Sequence, residues 1–168
     1  MISIYLCFGY PNRALLITLK FFSDSCKNPG PYVFKSSNYP DYYLSLKSGT
    51  TEGYIEKNNI QSFLVVPCLA GNADAVSLQL YTKQNFYLKT DNNKMLIDVE
   101  ARQTNSAFDL EACFKIKPDR FKVGYVAFES VSKPNHFIRH QGYRLKLHKA
   151  ASDDLYKKDA SFAMTRDC

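Results

Sequence analysis

Apolar and polar positions recur in three similar stretches of this chain. The segments VFKSSNYPDYYLSL, SLQLYTKQNFYLKT and AFESVSKPNHFIRH begin at Val33, Ser77 and Ala127. Each contains a short alternating run, a turn carrying Pro or Gln with Asn or Asp, and then an aromatic–aliphatic strand written YYL, FYL or HFI. Self-similarity at this spacing indicates an architecture assembled from copies of one supersecondary unit.

The three units also end alike. Phenylalanine takes the same place in QSFLVVP, ACFKIKP and ASFAMTR, at Phe63, Phe114 and Phe162. We predict that these rings share one central core, because their threefold recurrence is what such a core requires. Between start and end, MLI from Met95 matches LKL from Leu145, and this alternation is the period-two pattern of a strand.

The pattern predicts an all-β fold. Each unit, at about residues 31–70, 75–118 and 125–168, has room for about four short strands separated by turns, and no helical periodicity is evident. Three such units can close around a pseudo-threefold axis, which removes exposed sheet edges. We therefore predict a β-trefoil. A three-bladed propeller or a short β-solenoid is the alternative, although propellers usually have more blades.

Residues 1–30 do not share the repeat. ALLITLKFF has about the length of a signal-peptide core, but no basic segment precedes it, and it is too short to span a bilayer. The segment is interpreted as a degenerate leader or as part of a truncated upstream region. The Pro and Gly of KNPGP then mark the boundary before the regular part.

Charge and cysteine content narrow the class of protein. The net charge is +6, but lysine and arginine are scattered without a block of five, which favours a solvated surface over a nucleic-acid site. Five dispersed cysteines lack the spacing of a zinc site, at Cys7, Cys26, Cys68, Cys113 and Cys168. They fit either buried thiols or one or two disulfides. An extracellular or secretory location is our expectation, although the count does not decide it.

The third unit carries a recognisable motif. FESVSKPNHFIRHQGYRLKL, followed by LYKKDASF, resembles the arabinose-binding domain of arabinofuranosidase-B type enzymes, which is carbohydrate-binding module family 42. The resemblance is close in the third unit, partial in the second and weak in the first, and covers roughly residues 31–168. It implies a β-trefoil with up to three shallow pockets, each for the furanose ring of an L-arabinose side chain.

The resemblance also implies which residues bind the sugar. The His of RH and the Asp of DASF correspond to His140 and Asp159. A carboxylate can accept from two vicinal hydroxyls and an imidazole can donate or accept. A nearby aromatic side chain, Tyr143 or Tyr156, is expected to cover the apolar face of the ring.

The other two units depart from this motif. In the second unit Thr90 and Glu111 take the two positions, and Glu111 remains a weak candidate for sugar binding. In the first unit Leu46 and Ile60 take them, and apolar side chains cannot hold a polyol. We expect the second pocket to be weakened or retuned and the first to be lost, which lowers avidity for a branched polymer.

Simpler interpretations exist for the same residues. His140 alone could be a satisfied strand histidine, and Asp159 could anchor a turn. His136 aligns with plain aromatic residues and is expected to have a packing or rim role, whereas His148 is expected at the surface.

Catalysis is not expected of this chain. Glycosidases place two carboxyl groups across the scissile bond, whereas the family pattern puts Asp153, Asp154 and Asp159 on one loop at the edge of the fold. No nucleophile elbow, zinc motif or P-loop occurs, so no catalytic residue, metal or cofactor is expected. In the related enzymes this module is appended to a separate catalytic domain.

We therefore expect a monomeric, non-catalytic module whose partner is an arabinose-containing glycan or polysaccharide, with no nucleic acid and no membrane span. The alternatives are a structural or protein-interaction β-trefoil that has lost sugar binding, and a fragment of a larger arabinofuranosidase or adhesion protein.

Overall fold

The computed structural model describes residues 3–6, 15–18 and 30–167. Strands β1 (Ser3–Leu6) and β2 (Leu15–Thr18) pair with each other as a two-stranded antiparallel sheet. The interpretation of residues 1–30 as a leader or truncated region depends mostly on positions outside the described residues, and it stays a prediction. The larger sheet contains β3 (Tyr32–Ser36), β4 (Tyr43–Leu46), β5 (Gly53–Glu56), β6 (Phe63–Pro67), β7 (Val76–Leu80), β8 (Phe86–Asp91), β9 (Leu96–Ala101), β10 (Phe114–Pro118), β11 (Val126–Ser130), β12 (His136–Gln141), β13 (Arg144–Lys149) and β14 (Phe162–Arg166).

Six of these strands close into a barrel. Around the ring, β3 pairs with β6, β6 with β7, β7 with β10, β10 with β11, β11 with β14, and β14 with β3. Every pairing is antiparallel. Because the ring returns to its first strand, the barrel has no exposed edge.

The other six strands form three hairpins, β4–β5, β8–β9 and β12–β13. The hairpins meet one another, since β13 pairs with both β5 and β9. Each group of four consecutive strands thus supplies two barrel strands and one hairpin. We call these groups unit I (β3–β6), unit II (β7–β10) and unit III (β11–β14). This arrangement confirms the predicted β-trefoil.

The barrel interior is filled by the apolar residues that recur along the sequence. Six side chains with no exposed surface come from equivalent strand positions, namely Phe34, Leu78, Phe128, Phe63, Phe114 and Phe162. The rings of Phe34 and Phe128 meet edge to face at 5.1 Å. Burying a side chain of this size stabilises the fold by about 1.5–3 kcal/mol, so this layer anchors the three units to one another.

The three hairpins crowd together at the axis, where Gly53, Ile97 and Leu145 occupy equivalent places in their strands. The match of Met95 with Leu145 made from the sequence is therefore wrong by two residues. A Cβ atom at Gly53 would lie 2.4 Å from the carbonyl oxygen of Ile97. The Arg144 guanidinium donates to the carbonyl oxygens of Gly53 and Ile97 and pairs with Asp98. The axis therefore has room for two side chains and requires glycine at the third position.

Two short helices interrupt the all-β pattern, α1 (Ser106–Glu111) in unit II and α2 (Asp154–Asp159) in unit III. Asn105 caps α1 and Asp153 caps α2, each accepting a hydrogen bond from a backbone N–H in the first turn. With six residues each, the helices are too short to show the 3.6-residue periodicity that reveals longer ones. The expectation that Asp154 and Asp159 lie on a loop is wrong, because both belong to α2.

A disulfide joins Cys68, just after β6, to Cys113, just before β10, with Cα atoms 5.2 Å apart. Both residues are buried. The other three cysteines lie outside the described residues. None of the helices described is long and apolar enough to cross a membrane.

Candidate functional site

His140 and Asp159 lie side by side in unit III. His140 is near the end of β12 and Asp159 is the last residue of α2, which packs on that strand. The His140 Nδ1 atom is 3.6 Å from Asp159 Oδ1. The two residues are only 2% and 4% exposed, so they form a buried polar pair.

A residue of unit I bridges this pair. The Asn38 amide donates from Nδ2 to Asp159 Oδ1 at 2.8 Å, and its Oδ1 lies 3.0 Å from His140 Nε2. The Ser36 hydroxyl donates to the same Asn38 oxygen at 3.1 Å. Because an acceptor faces Nε2, the neutral imidazole carries its proton on Nε2. The site is therefore a junction between units III and I, and we call it the III–I junction.

Arg139 fixes the carboxylate from the other side. Its guanidinium donates to Asp159 Oδ2 at 2.5 Å, with side chains that are 11% and 6% exposed. Adjacent residues of a strand point to opposite faces, so Arg139 and His140 approach Asp159 from different directions. The carboxylate is thus held by a cation on one oxygen and by the Asn38 amide on the other.

The charge state of His140 follows from its surroundings. Burial lowers the pKa of His140 below its usual value, the Asp159 carboxylate opposes this, and Arg139 adds to it. The imidazole is therefore neutral at pH 7 and acts as a single N–H donor through Nε2.

The two tyrosines predicted from the sequence have different environments. Tyr156 is 1% exposed, its ring lies 5.2 Å from the Arg139 guanidinium, and its hydroxyl donates to the carbonyl of His148. Burial raises the pKa of Tyr156 to about 12. Tyr156 therefore supports Arg139 and presents no open ring face. Tyr143, by contrast, is 44% exposed at the β12–β13 turn.

Tyr39, Tyr42 and Tyr143 form an aromatic cluster that contacts His140 through the Tyr39 ring. The Tyr39 ring meets the His140 ring edge to face at 5.3 Å and the Tyr143 ring at 5.5 Å. Tyr42 stacks on Tyr143 at 5.3 Å. Tyr39 and Tyr42 were not among the residues predicted from the sequence. They belong to unit I, and its role at the III–I junction becomes visible only when neighbouring units are placed together.

The II–III junction keeps part of this arrangement. Glu111 pairs with Lys89 at 3.2 Å, as Asp159 pairs with Arg139. The Thr90 hydroxyl, where the third unit has His140, donates to Asn92 at 3.0 Å. The II–III junction therefore has an ion pair that corresponds to Arg139–Asp159, and it has a threonine hydroxyl where the III–I junction has the imidazole.

At the I–II junction, Leu46 is buried and Ile60 is 47% exposed, and the Thr82 hydroxyl donates to Gln61 at 3.4 Å. The remaining histidines lie elsewhere. His136 is half-buried and donates from Nδ1 to the Pro134 carbonyl at 3.0 Å. His148 is half-buried rather than fully exposed, and burial lowers its pKa.

In the described ranges, no group of three His, Cys, Asp or Glu side chains is placed to hold a metal ion.

The III–I junction is filled by its own side chains. A concavity of about 160 Å³ lies instead beside β10 and β11, lined by Asn72, Lys115, Glu129, Ser130, Val131 and Pro134. At the III–I junction the Asn38 side chain occupies the space between His140 and Asp159.

Comparison with known families agrees with the fold and with the motif. The model of the alpha-L-arabinofuranosidase B (ABFB) domain matches residues 32–164. The chain belongs to this family. A comparison with curated protein sequences gives no match.

Solved structures share the fold at low sequence identity. An arabinofuranosidase complexed with arabinofuranosyl-alpha-1,2-xylobiose has a TM-score of 0.70 and 18% identity, over 86% of this chain and 32% of the enzyme. The chain thus spans about a third of that enzyme. The Haemophilus ducreyi cytolethal distending toxin has a TM-score of 0.62 and 11% identity, over 87% of this chain and 89% of the toxin chain. A Culex salivary protein has a TM-score of 0.62 and 12% identity, over 83% and 95% of the two chains.

Proposed function

We propose that this ABFB-family chain is a monomeric, non-catalytic carbohydrate-binding module. It recognises L-arabinofuranose, or a similar side-chain sugar of a polysaccharide or glycan, at the III–I junction. The observation that carries this proposal is the Asn38 amide, which accepts from His140 and donates to Asp159.

The chemistry of that amide matches a sugar. Between His140 and Asp159 there is room for a group with one acceptor and one donor close together. Two vicinal hydroxyls provide the same pattern, since one can accept from Nε2–H while the other donates to the carboxylate. For a sugar to bind, the Asn38 side chain has to rotate out of this position. Arg139 then keeps Asp159 in place, and Tyr39 is the aromatic ring nearest to the bound furanose.

Three carboxylates of unit III support binding rather than hydrolysis. Asp153 caps α2, Asp154 is exposed and pairs with Lys157, and Asp159 is tied to Arg139. All three belong to one short helical segment, whereas a glycosidase places two carboxyls on opposite sides of the bond. We expect no release of nitrophenol from 4-nitrophenyl α-L-arabinofuranoside. Steady release proportional to protein concentration would contradict the non-catalytic assignment and favour a fragment of a larger arabinofuranosidase.

Titration calorimetry tests sugar binding directly. We expect heat of binding with methyl α-L-arabinofuranoside, and a loss of affinity of at least about tenfold in Asp159→Asn, because a carboxylate acceptor is removed without changing side-chain shape. Asp74→Asn is the matched control, since Asp74 pairs with Lys115 at the surface. Absence of heat with every pentose and hexose glycan tested would refute the proposal.

Asn38→Ser provides an independent test. Serine is the residue at the corresponding place in unit III, Ser132, so unit I should tolerate it. The substitution removes the group that competes with the ligand for His140 and Asp159, and we expect affinity for the arabinofuranoside to rise. A fall in affinity would mean that Asn38 itself contacts the sugar and does not compete with it.

A second candidate is a structural or protein-interaction β-trefoil without sugar binding. The burial of His140 and Asp159, with their hydrogen bonds already made inside the protein, favours it. In that case Asp159→Asn and Asn38→Ser should change the free energy of unfolding alone, and calorimetry should record no heat of binding. The Cys68–Cys113 disulfide supports an oxidising compartment, extracellular or secretory, for either candidate.

A further inference from the structure

The three junctions provide an internal comparison, because the same backbone positions recur in each. The position of Tyr39 in unit I is held by Lys83 in unit II and Lys133 in unit III. The residue before the second hairpin strand is Tyr143 in unit III and Met95 in unit II, and both have a positive φ, 66° and 57°. The backbone therefore presents these side chains alike, and only their chemistry differs.

The pairs of side chains meet in corresponding ways. At the II–III junction the Lys133 ammonium reaches the Met95 sulfur at 3.2 Å. At the III–I junction the Tyr39 ring meets the Tyr143 ring at 5.5 Å. Of the junctions in the described part of the chain, the one with a His–Asp pair is thus also the one with aromatic rings at both positions.

The aromatic cluster extends outward from the buried pair. Tyr39 is 39% exposed and contacts His140, while Tyr143 is 44% exposed and contacts Tyr39. Tyr42 is half-buried and stacks on Tyr143 with an interplanar angle of 28°, which fixes the plane of the outer ring. From His140 to Tyr143 the aromatic contacts thus extend over two centroid distances of 5.3 Å and 5.5 Å.

We propose that Tyr39, Tyr42 and Tyr143 form a platform for a second sugar ring, linked to the one at the His140–Asp159 pair. The preferred ligand is then an oligosaccharide that carries arabinofuranose, which binds more tightly than the monosaccharide. This inference rests on the proposed function of the same junction.

The chemistry of the cluster selects this occupant. Scattered exposed tyrosines are ordinary on protein surfaces, but three in mutual contact beside a buried polar pair provide a contiguous surface. Tyrosine combines a flat apolar face with a polar hydroxyl. A sugar ring has the matching properties, with C–H groups on its faces and hydroxyls at its rim, and aromatic side chains with a few polar groups are what small-ligand sites use. Because Tyr39 touches both His140 and Tyr143, a ligand can cover the pair and the platform together.

The experiment compares two ligands by titration calorimetry, methyl α-L-arabinofuranoside and arabinofuranosyl-α-1,2-xylobiose. For the native chain we expect the trisaccharide to bind about tenfold more tightly. In Tyr143→Met, which introduces the residue of unit II at the same backbone position, we expect the ratio of the two affinities to fall below about twofold. Tyr39→Lys, which introduces the residue found in units II and III, should weaken both ligands, because Tyr39 also lies next to the His140–Asp159 pair.

Tyr81→Lys is the matched control, because Tyr81 is a 54% exposed tyrosine outside the platform and its loss should leave both affinities unchanged. Thermal midpoints identify any variant that fails to fold. Equal affinity for the two ligands in the native chain, or an unchanged ratio in Tyr143→Met, would overturn the platform and leave the proposed function intact. Failure of the native chain to bind either ligand would overturn the proposed function, and the platform with it.

Discussion

Removal of the Asp159 side chain should destabilise the protein severely. The carboxylate is 6% exposed, accepts from Arg139 on one oxygen, and accepts from Asn38 on the other. In Asp159→Ala the guanidinium keeps its buried position and loses its counter-charge. Breaking a buried ion pair by deleting one partner costs about 3–5 kcal/mol, because the remaining charge is uncompensated.

The unpaired Asn38 amide adds a cost of about 1 kcal/mol that overlaps with the first, because both contacts belong to one network. We therefore expect a loss of about 3–5 kcal/mol in the free energy of unfolding. Domains of this kind have about 5–15 kcal/mol in total, so Asp159→Ala is partly unfolded if the native stability is at the lower end. Asp159→Asn also leaves the Arg139 charge unpaired, but it keeps the side-chain volume and an oxygen acceptor for Asn38. It is therefore the milder variant for binding experiments, and its thermal midpoint has to be measured beside them.

Urea unfolding at pH 7, followed by circular dichroism, measures this loss. Lys94→Met is the control, because Lys94 is 73% exposed in its pair with Asp91 and such a pair contributes about 1 kcal/mol at most. The double variant Arg139→Met/Asp159→Leu should recover most of the loss, since it removes both charges at once. A loss below about 1 kcal/mol in Asp159→Ala, or a double variant as unstable as Asp159→Ala, would refute the role of the buried charge.

Three further perturbations have clear expected outcomes. Gly53→Ala should lower the free energy of unfolding by about 3 kcal/mol or more, because its Cβ would lie 2.4 Å from the Ile97 carbonyl oxygen; an unchanged urea midpoint would contradict the crowded axis. Reduction of the Cys68–Cys113 disulfide, which closes a loop of 45 residues, should lower the free energy of unfolding by about 4 kcal/mol. The urea midpoint should fall when reductant is added to the native chain, and it should not change in a variant with serine at both positions. Burial lowers the pKa of His140, so below about pH 6.5 the unfolded chain binds a proton that the folded chain does not. The contribution of neutral His140 to the free energy of unfolding is complete above that pH. It is lost as the pH decreases through the folded-state pKa, by at most about 1.4 kcal/mol per pH unit. His140→Gln should remove this pH dependence, and an identical dependence of stability on pH in that variant would exclude His140 as its source.

The fold was predictable because the signals for it are local. Alternation over four to six residues identifies a strand, and its repetition in three units indicates closure around an axis. The association of His140 with Asp159 was also accessible, since both stand at repeat-equivalent positions beside the family motif. By contrast, α2 spans six residues and is set by the Asp153 cap, which leaves no periodic signal in the sequence.

The remainder of the junction depends on which units are neighbours. Asn38 is 121 residues away from Asp159 in sequence, and no local pattern links the two. The sequence also does not show which of the two predicted tyrosines is exposed. Tyr143 and Tyr156 are both close to the motif, but α2 folds Tyr156 inward against Arg139. Deciding between them requires the packing of α2 on β12, which is a tertiary contact.

Unit I shows why the candidate site belongs to a junction between units and not to a single repeat. Its own His and Asp positions hold Leu46 and Ile60, so a count of intact repeats would dismiss the whole unit. Yet its β3–β4 turn supplies Asn38 and Tyr39 to the site of unit III. At the III–I and II–III junctions the polar residues of one unit meet the β-turn of the next unit. Apolar residues at the pair positions of unit I therefore say nothing about the turn of the same unit, which contacts unit III. On this basis the turn of unit I and the hairpin of unit III have to be treated as one site, although most of the chain separates them in sequence.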